Sequence, residues 1–179
     1  KNSLKSLREA IEEANTYANN EKVYINFNLN KSESSQESSN KLNWILKPST
    51  PLPPLTKPAR LQKIWDIHSG WQRKISGGVF INHTNPKNVT IDGEILSKSK
   101  GRTYSLLTIG EYKSISSTSP YKPSVKIRNI NLVNNKISGE NGSNGGGGGL
   151  AAGAGLSVLH GDVTLNNVVF QNLTATGGN

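Results

Sequence analysis

Cysteine is absent from this chain, so no disulfide braces it, and the redox compartment stays unread because bacterial extracellular proteins often lack cysteine too. Apolar residues make up 33% of the 179 positions and aromatics 6%, a lean supply for a globule. It is enough for a narrow interior, where each buried apolar side chain contributes roughly 1.5–3 kcal/mol before entropy is subtracted. No apolar run nears the ~18 residues of a membrane span, and the stretch Leu150–Leu159 is short and broken by glycine. No leader peptide is visible at Lys1, which suits a cytosolic chain and a processed start equally. Acid is scarce as well: three Asp and nine Glu stand against 21 Lys and Arg, giving a formal charge of +9. That balance attracts anionic polysaccharide, lipopolysaccharide, teichoic acid or nucleic acid without choosing among them. The basic residues are scattered and lack the aromatic interleaving of a single-strand binder, so no specific nucleic-acid partner is expected.

What the chain does have is an internal repeat. Val125-Lys-Ile127-Arg-Asn129-Ile130-Asn-Leu132-Val-Asn134 recurs 38 positions later as Val163-Thr-Leu165-Asn-Asn167-Val168-Val-Phe170-Gln-Asn172. Each copy alternates apolar and polar residues, with the phase slipping by one at the Asn, which predicts a strand, a bend and a second strand. Stacked copies would lay Val125 over Val163 and Leu132 over Phe170. Asn129 and Asn167 would then form a corner ladder, because stacked amides hydrogen-bond along the axis and Asn tolerates the left-handed backbone of a tight bend. Asn88-Val89-Thr90-Ile91-Asp92-Gly93 reads as a partial copy with Gly93 in the Asn place. This pattern predicts an all-β fold, a right-handed parallel β-helix or solenoid, carried by residues 23–179 with loops at 31–41, 111–123 and 139–155.

Ahead of it, Ser6-Leu-Arg-Glu9 is a capping box before the helical stripe Leu7, Ala10, Ile11, Ala14 and Ala18. An amphipathic capping helix is therefore expected within residues 1–22, ending near Asn19. Val23 to Leu29 alternates as a strand, and Trp44-Ile-Leu46 resumes one. The prolines between 48 and 58 predict an extended segment outside any ladder. Short strands broken at Gly70 and Gly77-Gly78 are expected across 60–83, and another at Leu106–Ile109. The glycine tract 145–149 marks a loop. Because Ser138-Gly139 is matched by Thr176-Gly177, the chain is expected to be the N-terminal piece of a longer repetitive protein.

In order, these pieces resemble the CSLREA-type bacterial repeat proteins. The matching segments are Lys5-Ser6-Leu7-Arg8-Glu9-Ala10, Ile25-Asn-Phe27-Asn-Leu29, Leu52-Pro53-Pro54-Leu55-Thr56, Val89–Gly93 and Val163–Phe170. Lys5 stands where that family has Cys, and the region 60–85 is enlarged. The resemblance implies a right-handed parallel β-helix in a large secreted or surface-displayed, adhesin-like bacterial protein, a family mostly without assigned catalysis.

For chemistry, a uronate-cleaving enzyme on such a fold needs converging carboxylates. The three Asp, at 66, 92 and 162, occupy unmatched positions, and Glu9, Glu12 and Glu13 belong to the helix. The glycine tract has neither the Asp of a calcium repeat nor the Lys of a phosphate loop, and Asp66 with His68 makes an incomplete metal pair. His160-Gly161-Asp162 reads as a hairpin-like turn. No catalytic, metal or cofactor site is expected. One patch remains: Trp65, Trp71, Arg73, Arg60 and Lys63 combine flat aromatic faces with cations, suited to acidic sugar rings, although packing of the enlarged region against the wall of the fold is the commoner use of such tryptophans. The expected function is a non-enzymatic structural or adhesive module, binding acidic polysaccharide or cell-surface glycan or associating with copies of itself. The alternative is a polysaccharide lyase, glycosidase or phage-type depolymerase.

Overall fold

The computed structural model describes residues 6–27, 44–66, 68, 70–84, 88–98, 104–111, 121–142 and 147–179. The expected loop at 31–41 and most of that at 111–123 lie outside this set. The chain opens with α1 (Leu7–Ala14), whose capping box forms in full: Ser6 N donates to Glu9 Oε2 at 2.8 Å and Glu9 N to Ser6 Oγ at 3.3 Å. The helix stops well before Asn19. Asn15 ends it by turning its side chain to the Pro54–Lys57 segment, donating to Pro54 O and accepting from Thr56 N and Lys57 N. Ile11 and Ala14 point into the core.

Ten strands follow. They are β1 (Lys22–Ile25), β2 (Trp44–Leu46), β3 (Pro58–Asp66), β4 (Gly70–Ser76), β5 (Gly78–Ile81), β6 (Val89–Asp92), β7 (Leu107–Ile109), β8 (Tyr121–Ser138), β9 (Leu156–Val158) and β10 (Asp162–Thr176); α2 (Glu94–Ser97) lies between β6 and β7. Eight strands make one sheet, built around β8. The first half of β8 pairs in parallel with β5, which pairs with β1, while its second half pairs with β6, which pairs with β2. β10 runs parallel along nearly the whole of β8. Strands β7 and β9 form a separate parallel pair, joined by a bridge from Leu55 to Ile109.

The remaining pairings are antiparallel and correct the expected architecture. β3 and β4 fold into a hairpin, and Pro58–Arg60 pairs antiparallel with Tyr121–Pro123. Among the described residues, one mixed sheet of parallel and antiparallel strands with two helices is a mixed α/β fold, neither all-β nor a right-handed parallel β-helix, with no solenoid or closed sheet. The physical reason lies in the enlarged region. A hairpin longer than the strands of β5 or β6 satisfies its own backbone and docks through its first residues, so Pro58 enters a ladder at its end, where its missing N–H costs little. For the same reason Tyr121–Pro123 is strand rather than loop.

The sequence repeat survives as a strand pair. Val163 lies beside Val125, Leu165 beside Ile127, Val168 beside Ile130 and Phe170 beside Leu132 with nothing between the copies. The partial copy is displaced: Val89 pairs with Ile130 and Ile91 with Leu132, so Gly93 reaches the level of Asn134 rather than Asn129. Apolar residues from three directions meet inside: Ile25, Val79, Ile81, Val125 and Ile127; Val89, Ile91, Ile130 and Leu132; and Leu55, Leu107 and Ile109.

Candidate functional site

The residues around the β3–β4 hairpin carry the chemistry that the sequence singled out. In its register Trp65 stands opposite Trp71, Lys63 opposite Arg73 and Leu61 opposite Ile75. Opposed residues of an antiparallel pair share a face, and residues two apart along a strand do too. Positions 63, 65, 71 and 73 therefore occupy one face of the arm, tryptophans toward its tip and cations behind them. Arg60 does not join them: it stands opposite Ser76 on the other face and is exposed. Asp66 closes β3 while His68 lies exposed in the turn, so the two members of the incomplete pair do not share one strand.

A second aromatic and cationic row lies where the arm joins the sheet, and sequence reading passed it over. Tyr24, Phe80 and Lys126 occupy one level across β1, β5 and β8, all at positions that alternate outward from core residues. Their rings and charge meet: Tyr24 and Phe80 stack with centroids 4.9 Å apart, His83 meets Phe80 edge-on at 5.4 Å, and the Lys126 ammonium sits 5.3 Å over the Phe80 ring. Gly78 makes room beside this row, since a Cβ there would meet Ser124 O at 2.7 Å. Tyr24 is 49% exposed, and Lys22, Lys126 and Arg128 are exposed around it. The available signal was the period-2 alternation itself: Tyr24, two residues from Lys22, and Phe80, between Val79 and Ile81, occupy the outward phase of strands whose other phase is core.

The carboxylates are spent on local work. Asp162 faces Lys122 at 3.0 Å. Asp92 accepts from Glu94 N at 3.0 Å and from Asn134 Nδ2 at 3.2 Å, with Lys47 at 3.6 Å. Glu94 lies between Lys98, at 2.6 Å, and Lys47, at 3.1 Å, and hydrogen bonds from these two lysines hold its carboxyl down at about 2. Among the described residues no group of three His, Asp or Glu is placed to hold a metal ion. His160-Gly161-Asp162 is not a hairpin turn, because β9 pairs in parallel with β7 and β10 with β8; the tripeptide carries the chain between two separate ladders.

The two bend residues that the sequence picked out do form a ladder. Asn167 Nδ2 donates to Asn129 Oδ1 at 2.8 Å, and both are left-handed, at φ 52° and 53°. Asn82, Asn134 and Asn172 share this backbone conformation, and Asn172 repeats the stacking on Asn134 at 3.1 Å. Asn82 lies outside both copies, and Asn134 and Asn172 stand at the end of the repeated segment, where the phase slips a second time, at Leu173 after Asn172. No helix among the described residues is long and apolar enough to cross a membrane. Comparison with family models, with curated proteins and with solved structures gave no match.

Proposed function

We propose that this chain is a non-catalytic, extracellular binding module that holds anionic polysaccharide against its hairpin arm. The observation that carries the reading is the β3–β4 register, which sets Trp65 opposite Trp71 and Lys63 opposite Arg73 on one face. Flat aromatic rings stack on the apolar faces of sugars, and cations two residues away meet their carboxylates or sulfates. Exposed Tyr24, stacked on the buried Phe80, and Lys126 extend the same chemistry onto the sheet, and the formal charge of +9 favours approach of a polyanion. The engagement of Asp92, Glu94 and Asp162 by lysines supports a binding role over glycosidic cleavage. The CSLREA-type resemblance supports the extracellular setting.

Polygalacturonate is a suitable probe, titrated calorimetrically against the chain and its Trp65→Ala/Trp71→Ala variant. The double variant is expected to bind about tenfold or more weakly, as loss of aromatic anchors does elsewhere. Equal affinity would remove the arm from the site. Appearance of new reducing ends or of unsaturated product absorbance on incubation would replace binding with catalysis.

A further inference from the structure

The arm and the aromatic row on the sheet lie in one phase of the strand network. Ala59 of β3 pairs with Lys122 of β8, and opposed residues share a face. Alternation from that pair reaches positions 61, 63 and 65 in one direction and Ser124, Lys126 and Arg128 in the other. The face of the arm that holds positions 63, 65, 71 and 73 therefore continues, with no change of side in the register, onto the face that holds Tyr24, Phe80 and Lys126. It ends at Asn129, whose left-handed backbone bends β8 away.

Charge along this face is one-sided. Lys22, Lys63, Arg73, Lys122, Lys126 and Arg128 all fall in its phase. Among the described strand positions its one carboxylate is Asp162, level with Ser124, and Lys122 meets it at 3.0 Å. Lys22, Tyr24, Lys126 and Arg128 are exposed, whereas Ala59, Gly78 and Ser124, between the two patches, are small and buried, a low floor between long side chains. Four residues from Ala59 to Lys63 and four from Lys122 to Lys126, at ~3.4 Å each, set these two cations no more than about 27 Å apart along the strand direction. That span is too long for one sugar and short enough for one polymer.

We infer that the two patches form one bipartite site, which holds a single anionic polysaccharide chain at two points: acidic sugars at the arm, and others of the same chain against Tyr24, Lys126 and Arg128. The inference rests on the arm reading proposed above. Joining two weak contacts through one polymer makes the second intramolecular and raises affinity by ~10²–10⁴ when the span fits, and adds nothing for a ligand too short to reach. The test is calorimetric titration of trigalacturonate and of polygalacturonate against the intact chain and three variants. Trp65→Ala/Trp71→Ala removes the arm contact, Lys126→Gln/Arg128→Gln removes the sheet contact at exposed positions, and Arg60→Gln/Lys136→Gln removes the same charge from exposed positions off this face. The intact chain is expected to bind the polymer at least about a hundredfold more tightly than the trimer. The sheet variant is expected to weaken the polymer about tenfold or more, and the trimer, which the arm still holds, less than about twofold. Undiminished polymer binding by the sheet variant, or an equal loss in the charge-matched control, would overturn the inference. In either case an arm variant that weakens both ligands leaves the arm as the binding site, whereas one that binds both like the intact chain removes the arm reading as well.

Discussion

Asn167 sits on Asn129 with its amide nitrogen 2.8 Å from the lower carbonyl oxygen, and both residues hold a left-handed backbone at φ 52° and 53°. A single residue type thus supplies the bend and the link between bends. Replacing Asn129 by Ala removes the acceptor and forces a Cβ with no compensating polar group into that conformation, for a cost of about 2–3 kcal/mol. Gly at the same position keeps the bend and loses only the amide, so it is expected to cost less, and Asn167→Ala, at an exposed position, less again. Urea denaturation of the three variants gives the order.

Equivalent repeat positions are not equivalent in energy. Leu132 is fully buried, while Phe170, its partner in the register, is 46% exposed. Leu132→Ala is expected to cost about 2–5 kcal/mol and Phe170→Ala under about 1 kcal/mol, because only the first leaves a cavity. Similar losses in thermal unfolding would mean that β10 is covered in solution.

Among the described glycines with positive φ, Gly110 is the most crowded. It adopts φ +79°, donates its N–H to Leu55 O at 2.8 Å, and a Cβ there would strike the carbonyl oxygen of His160. Gly110→Ala is expected to destabilise the chain by at least ~2 kcal/mol through combined backbone strain and overlap. A urea midpoint within error of the parent would show that β7 and β9 separate freely at this end.

Among the described residues Lys57 is the largest fully buried side chain, and its ammonium donates to Ala18 O at 2.6 Å. Burial pushes its pKa below the ordinary 10.5, with Glu21 offsetting part of the effect. In the interval beneath 10.5 the unfolded chain therefore holds a proton that the native chain has released, so this group's contribution to stability rises with pH there. Lys57→Met is expected to abolish that rise. Urea midpoints of both chains, compared from neutrality up to 10.5, give the difference directly; parallel pH profiles would place the ammonium in water.

Local signals were read well where backbone pattern alone decides the outcome. Ser6 and Glu9 signal the capping box, alternation signals β1 and the halves of β8 and β10, and Gly77 marks the break between β4 and β5, whereas Gly70 and Gly78 lie inside strands. Strand direction was not legible, because alternation is identical for parallel and antiparallel neighbours, and so the hairpin at 58–76 was absorbed into an expected β-helix. The short α2 gave no periodic signal in four residues. Of the candidate patch, Lys63, Trp65, Trp71 and Arg73 fall together because a hairpin folds sequence neighbours back on themselves, and Arg60 misses by being one residue out of phase. The Tyr24–Phe80–Lys126 row joins residues from three distant segments, a proximity that only the pairing of β1, β5 and β8 creates.

Among the described residues the arm pairs with the rest of the sheet through three residues of β3, and beyond Arg60 its ladder closes on itself. Lengthening or shortening it by matched pairs of residues would leave every parallel strand where it is, because none of their registers passes through the hairpin. Such an arrangement lets selection rewrite the tip, exchanging tryptophans for other residues or shifting cations along the face, on a scaffold that never has to refold around the change. The composition of the tip and the integrity of the sheet can therefore drift on separate evolutionary clocks.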